Sequence, residues 1–172
     1  MSEPAELPLS SADRELVEAA LELLRQRAAV GRHEVAAALR TTSGAVHLGL
    51  HVESSIGRAS ICAEGAAIAA AAAAGDTEIE TIVAVVDTGD GWRVVTPCGL
   101  CRELISDYAP EATVIDYDAA RAEPVKPVPV MELLPGKTTR RWARPALTGT
   151  GLLFSASGGP PCPERERGGV IR

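Results

Sequence analysis

Thr81-Ile82-Val83-Ala84-Val85-Val86 is an uninterrupted apolar run, and its reading decides the fold class. A strand with one wet face alternates apolar and polar side chains. A continuous Val/Ile run instead predicts a strand covered on both faces, which requires helices above and below the sheet. Upstream, Ala63 to Ala74 reads as a helix stopped by Gly75. Downstream, Asp87 to Gly91 reads as a turn and Trp92 to Val95 as an extended segment. A helix follows from Gly99 to Ala109, ended by Pro110. Thr113 to Tyr117 gives another strand, and Val125 to Val130, alternating with proline, is at best an edge strand. Met131 to Leu134 is one short helical turn before Pro135. Towards the start, Ser10 or Ser11 caps a helix to Arg27 with Leu16, Ala20, Leu23 and Leu24 on one face. Glu34 to Thr41 and Ala45 to Val52 then form a hairpin about Thr42-Ser43-Gly44. The resulting order, α-β-β-α-β-α-β-(β)-α, is that of an α/β domain with a mixed sheet between helices.

The chain of 172 residues is long enough for one such domain with its own core. Apolar residues make up 46% and aromatics only 3%, so Ala, Val, Ile and Leu must supply the packing. From about Ala146 the composition shifts to Gly, Pro, Ser and charge, as in Gly158-Gly-Pro-Pro161 and Glu164-Arg-Glu-Arg167. A domain over 1–145 and a mobile tail over 146–172 are therefore expected. The net charge of −6 argues against nucleic acid as a partner, because a phosphate-tracking groove needs a basic stripe. The basic residues Lys137, Arg140, Arg141 and Arg144 read as a solvated segment, or as a cover over an anionic part of a small ligand. The start, Met1-Ser2-Glu3-Pro4, has no apolar core, so no secretory leader is expected. The Ala66–Ala74 stretch is too short to span a membrane, so no membrane role is expected. Four cysteines without a leader point to the cytoplasm and to metal or catalysis before disulfides.

Two segments carry the chemistry: Cys62-Ala63-Glu64 and Pro97-Cys98-Gly99-Leu100-Cys101. Both fall at expected helix starts, where the helix dipole and free N–H groups favour thiolates. A Cys-x-x-Cys on a first turn lets both sulfurs converge on one tetrahedral ion. The segment from Cys62 to Cys98 is long enough for a parallel crossover that sets the two helix starts side by side. Three protein ligands leave a fourth position for water, the mark of a catalytic site, and zinc would supply hydroxide near neutral pH. Glu64, two residues after its ligand, reaches the open position without binding the metal and can carry protons there. A redox pair at Cys98 and Cys101 is the competing reading, but such a pair needs no distant Cys-x-Glu. A structural zinc site would want a fourth ligand, and Cys162, the spare cysteine, lies in the tail and reads as a bystander.

This pattern is a known signature of zinc deaminases in its three-cysteine form. From about Ser11 to Arg141 the chain resembles the cytidine deaminase superfamily, and within it the blasticidin-S deaminase branch. The likeness is densest in Gly57-Arg-Ala-Ser-Ile-Cys-Ala-Glu64, in Thr81-Ile-Val-Ala-Val85 and from Arg93 through Pro110, with Glu132-Leu-Leu-Pro135 beyond. The resemblance implies a three-layer α/β/α sandwich on a mixed five-stranded sheet and a homotetramer with active sites near subunit contacts. It also implies one Zn2+ per subunit and hydrolytic loss of the C4 amino group of a cytosine nucleoside. Carried over by position, Cys62, Cys98 and Cys101 are the zinc ligands, Glu64 is the proton shuttle, and the backbone of Ala63 helps hold the pyrimidine. Cytidine deaminases grip ribose with an Asn-x-Glu at the place of His51-Val52-Glu53. Glu53 keeps the carboxylate. His51 replaces the amide, either to face a modified sugar, as the branch's own departure here implies, or as an ordinary strand-end histidine. Arg93 aligns with a branch arginine that binds the substrate's acidic end, or is a plain polar strand residue. Many relatives place an arginine directly after the glutamate. Here that residue is Gly65, so Arg102 becomes the candidate to offset the thiolate charge.

The branch tyrosine that closes the pocket after Pro135 is missing, so Trp142 either caps the base or anchors the tail. Three functions are therefore weighed: deamination of a nucleoside antibiotic such as blasticidin S, deamination of cytidine or deoxycytidine in salvage, and a zinc-binding scaffold without catalysis.

Overall fold

The computed structural model describes residues 9–117 and 125–137, which fall within one unit closing at Lys137. Helix α1 spans Ser11–Arg27 and is capped by Ser10, whose Oγ accepts from the Asp13 N–H at 3.1 Å. Its buried stripe is Leu16, Val17, Ala20, Leu21 and Leu24, one residue broader than the expected face, with Leu23 packed at the margin. Strands β1 (Val35–Thr41) and β2 (Val46–Leu50) form the hairpin, followed by a 3-10 turn at Gly57–Ala59 and by α2 (Ala63–Ala73). Then come β3 (Ile79–Asp87), β4 (Trp92–Val94), α3 (Gly99–Tyr108), β5 (Thr113–Asp116) and β6 (Lys126–Pro129). A second 3-10 turn occupies Val130–Leu133.

The sheet runs β2-β1-β3-β5-β6, with only β3 and β5 parallel, and β4 paired to β3 off this path. The expected strand count of five becomes six. The reason is length. Nine-residue β3 gives Thr81–Val83 to β5 and still has Val85–Asp87 free, and the extended Trp92–Val94 segment takes those hydrogen bonds. Six strands thus fill five lanes. β6, with Pro127 and Pro129, lies at the edge where missing N–H donors do no harm.

Alternation along β1 and β3 separates two cores. Ala37, Leu39, Ile82 and Ala84 face α2 and α3, while Ala36, Ala38, Val83 and Val85 face α1. Both faces of the central run are dry, as its sequence requires. The small alanines of β1 let helices approach closely on either side. Among the described residues no helix is long and apolar enough to cross a membrane. The boundary expected after residue 145, and the tail beyond it, lie outside the described residues.

Candidate active site

The site is assembled where two helices begin on the same side of the sheet. Past β2, the chain turns back through residues 54–60 and is closed by a bridge in which Val52 N–H reaches Ile61 O at 3.0 Å and Ile61 N–H reaches Val52 O at 2.9 Å. The next residue, Cys62, is the N-cap of α2, and Cys98 is the N-cap of α3. Neither thiol is used to cap its own helix, so both are free to face one another. Cys62 Sγ lies 3.7 Å from Cys98 Sγ, and with Cys101 the three sulfurs fall within 4.8 Å. The Cys98–Cys101 spacing on the first turn of α3 does what the sequence implied: it points both sulfurs to one place.

The three thiols differ in their electrostatics. Burial pushes the Cys101 thiol strongly up, and the neighbouring charges of Glu64 and Cys62 push it the same way. Burial also raises Cys62, helped by Cys98 and Glu64. For Cys98 burial acts upward too, but the N–H groups of Cys101 and Leu100 and the adjacent thiols outweigh it, and the net direction is down. Helix-start stabilisation of a thiolate therefore prevails at one position of three. Crowded sulfurs that resist ionising together are relieved by a divalent cation, and three thiolates suit soft, borderline zinc. The donor set fits that metal.

Glu64 is buried, with 6% of its surface exposed. Burial pushes its carboxyl up, against its own backbone N–H and the Cys101 thiol, which lower it. A carboxyl held towards neutrality beside a hydrolytic metal position is suited to carry protons. Ala63, at 1% exposure, forms the floor between Cys62 and Glu64.

His51 and Glu53 arrive at the same place. Gly49 faces the first turn of α2 so closely that a Cβ would stand 2.2 Å from both Ala63 O and Ala67 N. His51, two residues on, shares that face. Its Nε2 lies 3.2 Å from Glu53 Oε2. Glu53 Oε1 accepts from the Ser54 N–H at 3.1 Å and from Ser60 Oγ at 2.8 Å. Arg102 follows the metal loop, where its Nε donates to Pro97 O at 2.8 Å and its Nη1 to Leu133 O at 3.3 Å. It thus braces the Pro97–Cys98 turn against the last described helical turn. Arg93 is exposed on β4, and since Val94 turns into the α1 core, Arg93 turns to the face that carries α2 and α3. Trp142 lies outside the described residues, as do Arg140, Arg141, Arg144 and Cys162.

Three contributors escaped sequence reasoning. Gly49 permits a close strand–helix approach, and a glycine inside a strand was the available signal. His33 Nδ1 lies 2.8 Å from His51 O, a contact across 18 residues with no sequence signature. Lys137, read as solvated or ligand-facing, instead has a side chain only 5% exposed, paired with Glu103 at 3.2 Å and Asp107 at 2.7 Å on α3.

A three-layer α/β fold with a tri-cysteine cluster and a buried glutamate at two paired helix starts defines a hydrolytic metalloenzyme of the deaminase type. Residues 10–116 match the family described as cytidine and deoxycytidylate deaminase zinc-binding region, and the chain belongs to that family. It is 42% identical over 137 residues to the blasticidin-S deaminase of Bacillus cereus, covering 77% of this chain and 96% of that one. It is 32% identical over 108 residues to a cytidine deaminase of Halalkalibacterium halodurans, covering 63% of this chain and 79% of the relative. The crystal structure of cytidine deaminase from Burkholderia pseudomallei superposes with a TM-score of 0.61 at 28% identity, covering 76% of this chain and all, 100%, of the other.

Proposed function

We propose that this enzyme hydrolyses the C4 amino group from a cytosine nucleoside, and that its substrate is a nucleoside antibiotic of the blasticidin S kind. The observation that carries the chemistry is the meeting of Cys62, Cys98 and Cys101 beside buried Glu64. The substrate reading is supported by the 42% identity to a blasticidin-S deaminase over 96% of its length. It is also supported by His51 in place of the ribose-gripping amide.

Cys62, Cys98 and Cys101 hold the zinc, which when bound lowers the pKa of water to about 7. Glu64 takes the proton that the attacking water loses at C4, passes it to the ring nitrogen, and later delivers one to the departing amine. Burial raises the Glu64 carboxyl, which suits it to accept and return protons. The backbone of Ala63 lies against the pyrimidine, the His51–Glu53 pair stands at the sugar end, and Arg93 meets an acidic group farther out. Arg102 sets a positive charge behind the thiolates while bracing the Pro97 carbonyl. The enzyme works in the reducing cytoplasm, where three cysteines stay free for metal, and it assembles as a homotetramer.

Following the ultraviolet change from cytosine to uracil tests this reading, with zinc-loaded protein offered blasticidin S, cytidine and deoxycytidine separately. Turnover of blasticidin S with the higher kcat/KM is the expected result. Turnover of cytidine alone overturns the antibiotic reading in favour of salvage, the second reading, which the 32% relative supports.

A further inference from the structure

Glu53 stands where the resemblance places a sugar-gripping carboxylate, yet its hydrogen-bonding capacity is largely spent inside the protein. One oxygen takes the Ser54 N–H at 3.1 Å and the Ser60 hydroxyl at 2.8 Å. The other lies 3.2 Å from His51 Nε2. His51, in turn, is fixed at almost every polar atom. Its N–H donates to Val35 O at 2.9 Å, and its carbonyl lies 2.8 Å from His33 Nδ1, which donates to it. Its Nε2 meets Glu53. One atom is left, Nδ1, which is buried and has no hydrogen-bond partner among the described residues. Buried polar atoms in native proteins are nearly always paired, so an unpaired one beside a reaction site indicates a group that arrives with a ligand. His51 shares the face of Gly49, which abuts the first turn of α2. The Val52–Ile61 bridge sets it next to Cys62.

We propose that Glu53 is a positioning residue that acts through His51, and that His51 Nδ1 accepts a hydrogen bond from a donor on the sugar part of the substrate. The carboxylate accepts the Nε2 proton and so selects the tautomer with the lone pair on Nδ1. His33 and Val35 hold the backbone so that this lone pair keeps its aim. The donor is a hydroxyl or an amide N–H attached directly to the sugar ring; a ring bearing neither leaves Nδ1 unpaired. This assignment rests on the nucleoside reading above and deepens it, because it exchanges a carboxylate grip for a neutral acceptor.

The test has two arms on the zinc-loaded protein. In the first, 15N–1H NMR resolves the three histidines and reads their tautomers without any substrate. Wild type is expected to show His51 protonated at Nε2. Glu53→Gln is expected to move that proton to Nδ1, because the oxygen held by Ser54 and Ser60 leaves the amide nitrogen facing Nε2. In the second, kcat/KM is measured for cytidine, 2′,3′-dideoxycytidine and blasticidin S. His51→Phe and Glu53→Gln are each expected to cost about ten-fold on a nucleoside with a donor on the sugar ring relative to dideoxycytidine, which keeps only its 5′-hydroxyl, the order of one buried hydrogen bond. The double variant loses no more than either single one. His51→Asn, which keeps an acceptor at that distance from the backbone, retains more than His51→Phe. A fall on cytidine identifies a hydroxyl donor, and a fall on blasticidin S alone identifies that molecule's own donor. Additive losses, a wild-type Nδ1–H tautomer, or equal effects on dideoxycytidine overturn the assignment. Absence of turnover on every nucleoside overturns the functional reading instead, while the NMR arm still decides the His51–Glu53 pair.

Discussion

Glu64 illustrates how a single position carries both burial and charge. At 6% exposure it gives up hydration that an ionised carboxylate wants, and the return is a proton affinity raised towards the working pH. Glu64→Gln keeps the shape and the burial but cannot exchange a proton. It is expected to bind zinc stoichiometrically, to keep the melting temperature within a few degrees, and to lower kcat by about 10²–10⁴-fold. Metal analysis and the ultraviolet assay on the same preparation check both halves. The three-cysteine cluster was legible because metal ligation demands particular residue types at particular spacings. His33 was not, since it acts through a ring nitrogen on a backbone carbonyl 18 residues away. The aim of Arg102 was equally hidden: the need for a positive charge follows from three thiolates, whereas its grip on Pro97 O and Leu133 O follows only from the packing of α3.

Between elements, the site depends on how α2 is seated on β2 and on how α3 is seated beside α2. Gly49 sets the first distance. A methyl group there meets backbone atoms of Ala63 and Ala67 at 2.2 Å, and backbone cannot swing aside. Gly49→Ala is expected to destabilise the fold by about 1–3 kcal/mol, the usual range for overpacking, and to weaken zinc retention. Denaturant unfolding and zinc release to a chromogenic chelator measure the two effects. The metal sets the second distance, because Cys62 and Cys98 are the N-caps of different helices. Stripping zinc is expected to lower the melting temperature and abolish turnover, with both restored by added zinc. At the far end of α2, the hydroxyls of Thr41 and Ser43, at 2.7 and 2.8 Å, hold the Asp76 carboxyl below the usual carboxylate range, with His47 adding to it. A depressed folded-state pKa stabilises the fold at pH values above the unfolded value of about 4, and that contribution disappears as pH falls through the depressed value. Acid unfolding of Asp76→Asn is therefore expected to show a shallower dependence on pH below about 4 than wild type. The hairpin and both metal-bearing helices were readable from period and breakers. The clasp at Asp76 was not, because hydroxyl–carboxylate contacts across a turn leave no periodic trace.

At the scale of the whole molecule, the central Val/Ile run announced a sheet buried on both faces, and both faces are indeed dry. The sixth strand was hidden because no local pattern reveals that β3 outruns β5 and has hydrogen bonds left for β4. The outer surface raises a further demand. Leu100 is 81% exposed, Ile56 69% and Ile61 49%, and all three lie on segments that carry or flank metal ligands. Cys98 itself is exposed. A hydrolytic site gains from excluding bulk water, and exposed apolar residues on these segments favour a cover rather than solvent. The proposed homotetramer would supply a second copy of this chain as that cover. Sedimentation velocity is expected to show wild type at four times the chain mass. Ile56→Glu, on the 54–60 loop and away from the cysteines, is expected to shift the protein to smaller species while zinc content stays at one per chain. Activity should fall with dissociation and recover at high protein concentration, because the lost element is the neighbour and not the metal. A monomeric wild type with full activity would refute the cover, and these exposed apolar residues would then need another partner.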